Sequence, residues 1–491
     1  MKAVLSFALL AVLAGVASAQ IQTRFIDLRV DHFNPLDRRS FDGRYFVNSQ
    51  HYLAGGPIFI YVSGGFETYD QYLSRGAVFE IAEDTRGHLF ALEPRFYGES
   101  QPTEDTSVDN LRFLTIHQQL ADLAQFISFI RSNYFGAENS RVILWGRGYG
   151  GSLAVWARQK YPNLVDGVWA SSAHINAVEH FPQLHANAFY TMTSISGPEC
   201  GNIVQGAFSF IEEAIRARDT TYVEERLRLC SPIDIDIEED VARLFNDIAA
   251  KVGLQFISNA QYPDIDEKCI IMRGLNDAPE EQAENDLDAF ARWFVDEYNG
   301  NLECLNYNNT AVTAMYQQTA WNTVSTIAGR RQTFWLHCTQ LGQFGIANEG
   351  NDHPFGWRFD AAFFRLWCSQ AFDPEIITDD FMTESIARTN QFFGGLSPNV
   401  YRVFFTHGEM DARRHLGPQE DLNANSPVTV MSLQSFGRDF GSPADTDYAV
   451  LLSTKARARE LILQWIVDAA QELPTPEPET TTPSGPVPGE Y

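Results

Sequence analysis

The sequence predicts an α/β fold, a mostly parallel sheet covered by helices on both faces and interrupted by a helical insertion. Three observations carry this. In the first 175 residues, short apolar runs alternate with segments of helical periodicity, as in a sheet buried on both faces. From 176 to 395 the periodicity is predominantly helical, and strand-type runs return after 396. Between them, Arg141 to Ala173 writes an apolar run, a glycine turn and a helix-forming segment without a break.

Met1 to Ala19 reads as a signal peptide: Lys2, an apolar run from Ala3 to Val16, and Ala17-Ser18-Ala19 as a small-residue cleavage site. The expected sheet domain begins at residue 20 and runs to 175. Phe41 to Val47 and Pro57 to Val62 read as strands, the second ending at Ser63-Gly64-Gly65. His88 to Leu92 is the next. Thr115 and Gln118 have the spacing of a capping box for a helix with Leu120, Leu123, Ile127 and Ile130 on one face. Val142 to Trp145 and Gly167 to Ala170 continue the sheet. The insertion, 176–395, includes helical runs at Leu287 to Tyr298 and Met315 to Ala328. The sheet resumes over 396–472 with Val400 to Thr406 and Val428 to Leu433, then a helix with Leu461, Ile462, Trp465 and Ile466 on one face. Residues 473–491 are too rich in Pro, Thr and Glu to pack and should form a disordered, O-glycosylation-prone tail.

The formal charge of -27 excludes nucleic acid as an expected partner. After the signal peptide, no window holds the roughly eighteen apolar residues of a membrane span, so a secreted or lumenal protein, extracellular or lysosomal, is expected. The six cysteines all lie between 200 and 368, are even in number and match no zinc motif, so disulfides are expected, with no metal or cofactor. Their pairing is open on spacing alone. Asn308-Asn309-Thr310 is the candidate N-glycosylation site.

The turn Gly146-Arg147-Gly148-Tyr149-Gly150 has the form of a nucleophile elbow, G-x-S-x-G, in which a serine hydroxyl is lifted above the sheet and the next backbone N–H helps form an oxyanion hole. Gly148 occupies the serine position. A phosphate-binding loop or an ordinary βα turn reads the same way.

Several ordered motifs together resemble the family of prolylcarboxypeptidase, dipeptidyl peptidase II and thymus-specific serine protease. They are Val30-Asp31-His32-Phe33-Asn34, Arg44-Tyr45-Phe46-Val47-Asn48, Gly55-Gly56-Pro57-Ile58-Phe59, Glu93-Pro94-Arg95-Phe96-Tyr97-Gly98, Lys160-Tyr161-Pro162 and Ala170-Ser171-Ser172-Ala173. The resemblance spans nearly the whole chain up to the tail. It implies an α/β-hydrolase with a helical, disulfide-bearing cap, peptide cleavage near proline or a small residue, and a Ser-Asp-His triad. It also implies a Cys338–Cys368 disulfide.

Asp411 stands at the triad acid, after Phe404 to Met410, although the family's D-P-W is replaced by Ala412 and Arg413 after the acid. Ser435-Phe436-Gly437-Arg438-Asp439 stands where the base is found, and Arg438 takes the histidine's place. A guanidinium with a pKa above 12 cannot serve as a general base. His407 and His415 lie on the wrong turn and are expected to pack or sit at the surface. Tyr149, Gly64 and Gly65 retain the positions of oxyanion donors.

The expected function is that of a pseudo-peptidase, a secreted homologue of serine exopeptidases that binds a peptide or protein; a homodimer is left open. The alternative is an active serine peptidase using another hydroxyl, with Ser152 the obvious one, although it lies on the helix after the elbow. A third reading is a carrier or matrix protein. Arg438 is further expected to neutralise Asp411 through a charge-assisted pair.

Overall fold

The computed structural model describes residues 21–253, 262–275, 283–299, 304–347 and 353–471. The expected signal peptide and the tail from 473 lie outside them. Eight strands form the main sheet: β1 (Gln22–Arg29), β2 (Ser40–Asn48), β3 (Ile58–Val62), β4 (His88–Leu92), β5 (Val142–Arg147), β6 (Gly167–Ser171), β9 (Val403–Gly408) and β10 (Val428–Met431). Their order is β1-β2-β4-β3-β5-β6-β9-β10. β2 runs antiparallel to both β1 and β4, and every later pairing is parallel. This is an α/β-hydrolase sheet.

Alternation along the central strands explains why both faces are covered. Ile58, Ile60 and Val62 of β3, with Val142 and Leu144 of β5, enter one apolar core, while Phe59, Tyr61, Ile143 and Trp145 enter the other. Helices Ile116–Asn133 and Tyr149–Lys160 supply the first core; Ala77–Thr85 and Ala449–Gln471 supply the second. β1 is absent from the sequence reading. Only Ile26 and Leu28 of this edge strand are buried, so its apolar signal is half that of a central strand.

Between β6 and β9 the described residues are mostly helical and add no strand to the main sheet; β7 (Val178–His180) and β8 (Gly342–Phe344) pair with each other. Phe208, Phe245 and Phe290 from this stretch join the first core, so the insertion packs onto the sheet domain through shared apolar contacts. The expected helix over Met315 to Ala328 is instead two, Asn309–Gln317 and Val324–Ile327. Thr323 opens the second with a reciprocal cap on Thr326, which ends the continuous periodicity. At Thr115 only half of the expected box forms: its hydroxyl accepts from Gln118 N, while the Gln118 side chain binds Asp31 Oδ1 and His32 N instead.

Three disulfides staple the insertion: Cys200–Cys269, Cys230–Cys304 and Cys338–Cys368. They close loops of 69, 74 and 30 residues. By chain entropy each contributes about 3–5 kcal/mol. Asn308 caps the helix Asn309–Gln317 through Oδ1, and its Nδ2 donates to Asp240 Oδ2 at 3.1 Å, so a glycan there would share the amide with a structural bond.

Candidate active site

The elbow forms where β5 meets the helix Tyr149–Lys160. Gly148 has φ 56° and ψ -128°, a conformation glycine adopts without the steric cost a side chain brings. Its N–H donates to Ser171 O at 2.9 Å, tying the turn to the end of β6. Gly150 is required by close approach: a Cβ there would lie 2.2 Å from Val62 O, because the end of β3 rests on the first turn of the helix. This contact brings Gly64 beside Tyr149 and Gly150. Tyr149 is the first helical residue, so its N–H belongs to the unpaired donors of the helix N-terminus. Its hydroxyl accepts from Gln119 Nε2 at 2.8 Å. Gly65 is engaged through its carbonyl, which accepts from Thr333 Oγ1 at 3.1 Å.

The space above Gly148 is occupied. A Cβ added there would lie 2.9 Å from Phe436 Cζ and 3.6 Å from His174 Cε1. Ser152, the other hydroxyl near the turn, is fully buried and donates back to Gly148 O at 3.2 Å within the helix. It faces the helix backbone, not the top of the sheet.

Asp411 follows β9 and caps a short 3-10 turn, Ala412–Leu416; its Oδ1 accepts from Arg413 N at 3.0 Å. Its Oδ2 is buried without a hydrogen-bond partner. Burial pushes this carboxyl up to about 6, against the pull of the Ser172 hydroxyl, the Arg413 N–H, and the Arg413 and Arg414 charges.

The expected Arg438–Asp411 pair is not formed. The Asp411 bond comes from the Arg413 backbone, and its flanking charges are Arg413 and Arg414. Arg438 sits on the 3-10 turn Arg438–Phe440, and its charge acts on Asp447, which also pairs with Lys455 Nζ at 2.6 Å. The cause is the next residue. Asp439 is fully buried, accepts from Ser171 Oγ at 2.6 Å and from Thr406 Oγ1, and so clamps the turn onto the ends of β6 and β9. Arg438 is left facing the cavity beside the elbow.

Burial lowers the pKa of each histidine near the acid. His407, within β9, is fully buried against Gly417, and burial pushes it down to about 3. His174 is driven well below its ordinary value by burial, then by Arg413, His407 and His337; burial and Arg413 lower His337 to about 4. His415 is also lowered, by burial and by Arg414.

Sequence reasoning singled out neither Phe436 nor His174, and it considered Asp439 only as the residue that a slip of one position would set against Asp411, not as the partner of Ser171 and Thr406. Ser171 and Thr406, hydroxyls at the ends of adjoining parallel strands, were the available signal for Asp439.

The elbow, the 436–442 turn, and helices Gln183–Ser196 and Glu238–Gly253 enclose a cavity of about 650 Å³. Arg147, His185, Asp411, Arg413, Phe436 and Arg438 are among the residues that line it. His185 Nε2 donates to Gly345 O at 2.9 Å, and burial lowers its pKa to about 4. Among the described residues, no cluster of three or more His, Cys, Asp or Glu is arranged to hold a metal ion, and no helix is long and apolar enough to cross a membrane.

The family profile of serine carboxypeptidase S28 matches residues 28–458. The chain is 27% identical over 459 residues to thymus-specific serine protease of Mus musculus, covering 90% of this chain and 87% of that protein. It is 26% identical over 459 residues to the Homo sapiens protein of the same name, covering 92% and 88%. Lysosomal Pro-X carboxypeptidase of Bos taurus is 31% identical over 309 residues, 60% of this chain and 61% of that one. With a match along almost the whole sheet and insertion, this chain belongs to the serine carboxypeptidase S28 family.

Proposed function

We propose that the chain is a secreted or lumenal, catalytically inactive member of this family that binds a peptide or protein. The observation that carries the reading is the elbow: glycine stands at the nucleophile position, and the Phe436 ring tip lies 2.9 Å from where a side chain would begin. A triad needs a hydroxyl there, a neutral imidazole to take its proton and a carboxylate to orient that imidazole. Of these, Asp411 alone stands in place, with one oxygen unpartnered. Ser152, held in the helix, offers no substitute. The reading takes 176–395 as a cap over the cavity, and the three disulfides suit an oxidising compartment. It takes Tyr149, Gly64 and Gly65 as remains of an oxyanion hole whose N–H groups now serve only to bind.

Fluorophosphonate labelling and hydrolysis of prolyl and alanyl dipeptide substrates test this. No labelling and no turnover above contaminants are expected, since removing a nucleophile alone costs on the order of a millionfold in a related mechanism. Labelling, together with turnover abolished by a serine-directed inhibitor, would overturn the reading.

A further inference from the structure

A second cavity lies at the seam between the sheet part and the insertion. Its volume is about 410 Å³, and none of the described residues that line the elbow cavity lines it. Val108 and Ile116 come from helices Val108–Leu111 and Ile116–Asn133, which flank the sheet. Trp335, Ile376, Phe381 and Phe392 come from the insertion. Hydrogen bonds hold the seam in place. Gln340 Oε1 accepts from Ile116 N at 2.8 Å, Gln340 Nε2 donates to Leu114 O at 3.3 Å, and Thr389 Oγ1 donates to Gln340 O at 2.6 Å. The cavity is therefore built into the fold, as ligand sites between packed units are.

Its lining leaves large apolar groups open. Phe392 is 50% exposed and Ile376 42%. Single exposed apolar side chains are ordinary, but two that line one concave site offer surface to a ligand. His117 adds to it: the Phe392 and Phe393 rings lie at 5.0 and 5.3 Å, and burial, then the Lys160 charge, hold its imidazole below its ordinary pKa. Arg112 and Arg388 also line the cavity, and both are exposed. Arg112 lies over the Phe113 ring at 4.8 Å, and its charge acts on Asp37, which pairs with Arg39 at 2.6 Å. Neither guanidinium donates a hydrogen bond among the described residues. Asp109 shares the lining, so donors set beside apolar surface, not net charge, define the ligand class. A guanidinium fork matches a carboxylate in geometry. By the measure that roughly 150 Å³ holds benzene, the cavity has room for about twelve to sixteen carbon atoms.

We propose that this cavity binds a fatty acid, its alkyl chain against Trp335, Phe381 and Phe392 and its carboxylate received by Arg112 and Arg388. No bond is made or broken, and the site stands whether or not the elbow is catalytic.

Calorimetry of the full chain with decanoate, kept below its micelle concentration, tests this. Decan-1-ol, decylamine and butanoate serve as separate arms. Decanoate should bind at one per chain and raise the melting temperature. It should bind at least about fivefold tighter than decan-1-ol, which lacks the carboxylate, and at least about a hundredfold tighter than butanoate, which lacks most of the chain. Decylamine should bind more weakly than either ten-carbon partner. Arg112→Gln and Arg388→Gln should each lose about threefold or more, with Arg388→Lys between wild type and Arg388→Gln. Phe392→Ser should lose about fivefold or more. Melting temperatures of the unliganded variants check folding; should Arg112→Gln fail to fold, Arg388→Gln and Phe392→Ser decide. Decan-1-ol or decylamine binding as tightly as decanoate overturns the proposal, as does a folded variant of Arg112, Arg388 or Phe392 that binds like wild type. So does butanoate binding as tightly as decanoate, since the site would then hold only a small carboxylate.

Discussion

Two buried polar clusters in this molecule are built in opposite ways. In the first, Arg95 is fully buried and uses all of its donors: Nε and Nη2 on Asp122 at 2.6 and 2.7 Å, Nη1 on Val30 O and Phe113 O, and Nη2 also on Arg29 O. His32 Nε2 completes it at 2.7 Å from Asp122 Oδ1. In the second, at the elbow, Asp411 Oδ2, His174 Nε2, both His407 nitrogens and Ser435 Oγ are buried without hydrogen-bond partners. The first cluster binds the amino-terminal segment to the helix Ile116–Asn133, and its completeness is what makes it structural. The second lies beside the glycine turn and holds polar groups that no side chain or backbone group satisfies among the described residues. An unsatisfied buried polar group costs roughly 1–3 kcal/mol, so the elbow lowers stability while the Arg95 cluster supports it.

The largest expected effect breaks the satisfied cluster. Asp122→Ala leaves the Arg95 guanidinium buried and uncompensated and should cost about 3–5 kcal/mol in urea unfolding. A loss under about 1 kcal/mol would show that the two clusters are not energetically different.

The second effect has the opposite sign. Asp411 is raised to about 6 in the fold from 3.8. The folded state therefore binds the proton more tightly, and stability is greatest below about 4 and falls as pH rises through about 6. Two units correspond to about 3 kcal/mol. Asp411→Asn keeps an oxygen to accept from Arg413 N, so it should stabilise the protein by up to about 3 kcal/mol at pH 7.5 and by almost nothing at pH 4. A pH-independent difference between variant and wild type would remove the ionised carboxylate as the source of the cost.

How far each cluster can be read from sequence follows from the range of its contacts. The central strands are legible because Ile58 to Val62 and Val142 to Trp145 advertise two-sided burial in consecutive residues. Edge strand β1 is less so, since it buries only Ile26 and Leu28, and Thr323 breaks a helical run whose apolar spacing continues past it. At the site, the glycine at 148 and the arginine at 438 are visible one residue at a time. The orientation of Arg438 is not: it is decided by Asp439 reaching Ser171 and Thr406, which stand 268 and 33 residues away in the chain. Phe436 gives no local sign that it covers Gly148, because that contact joins two turns nearly three hundred residues apart.

The smallest effect separates strain from crowding at the elbow. Gly148→Ser places a side chain at φ 56°, which should cost about 1–3 kcal/mol whatever surrounds it. It also brings Cβ to 2.9 Å from Phe436 Cζ, and that part should be relieved when the ring is removed. In a double-mutant cycle with Phe436→Ala, the serine should therefore cost less than in the wild-type background, by a coupling on the order of 0.5–1 kcal/mol. Zero coupling would mean that the ring moves aside freely and that strain accounts for the whole cost. Neither the single nor the double variant should label with a fluorophosphonate, because the neighbouring His174 is driven by burial far below its ordinary value and Arg438 cannot take a proton. Labelling of the double variant alone would show that Phe436 was the remaining obstacle and that a base is already within reach of residue 148.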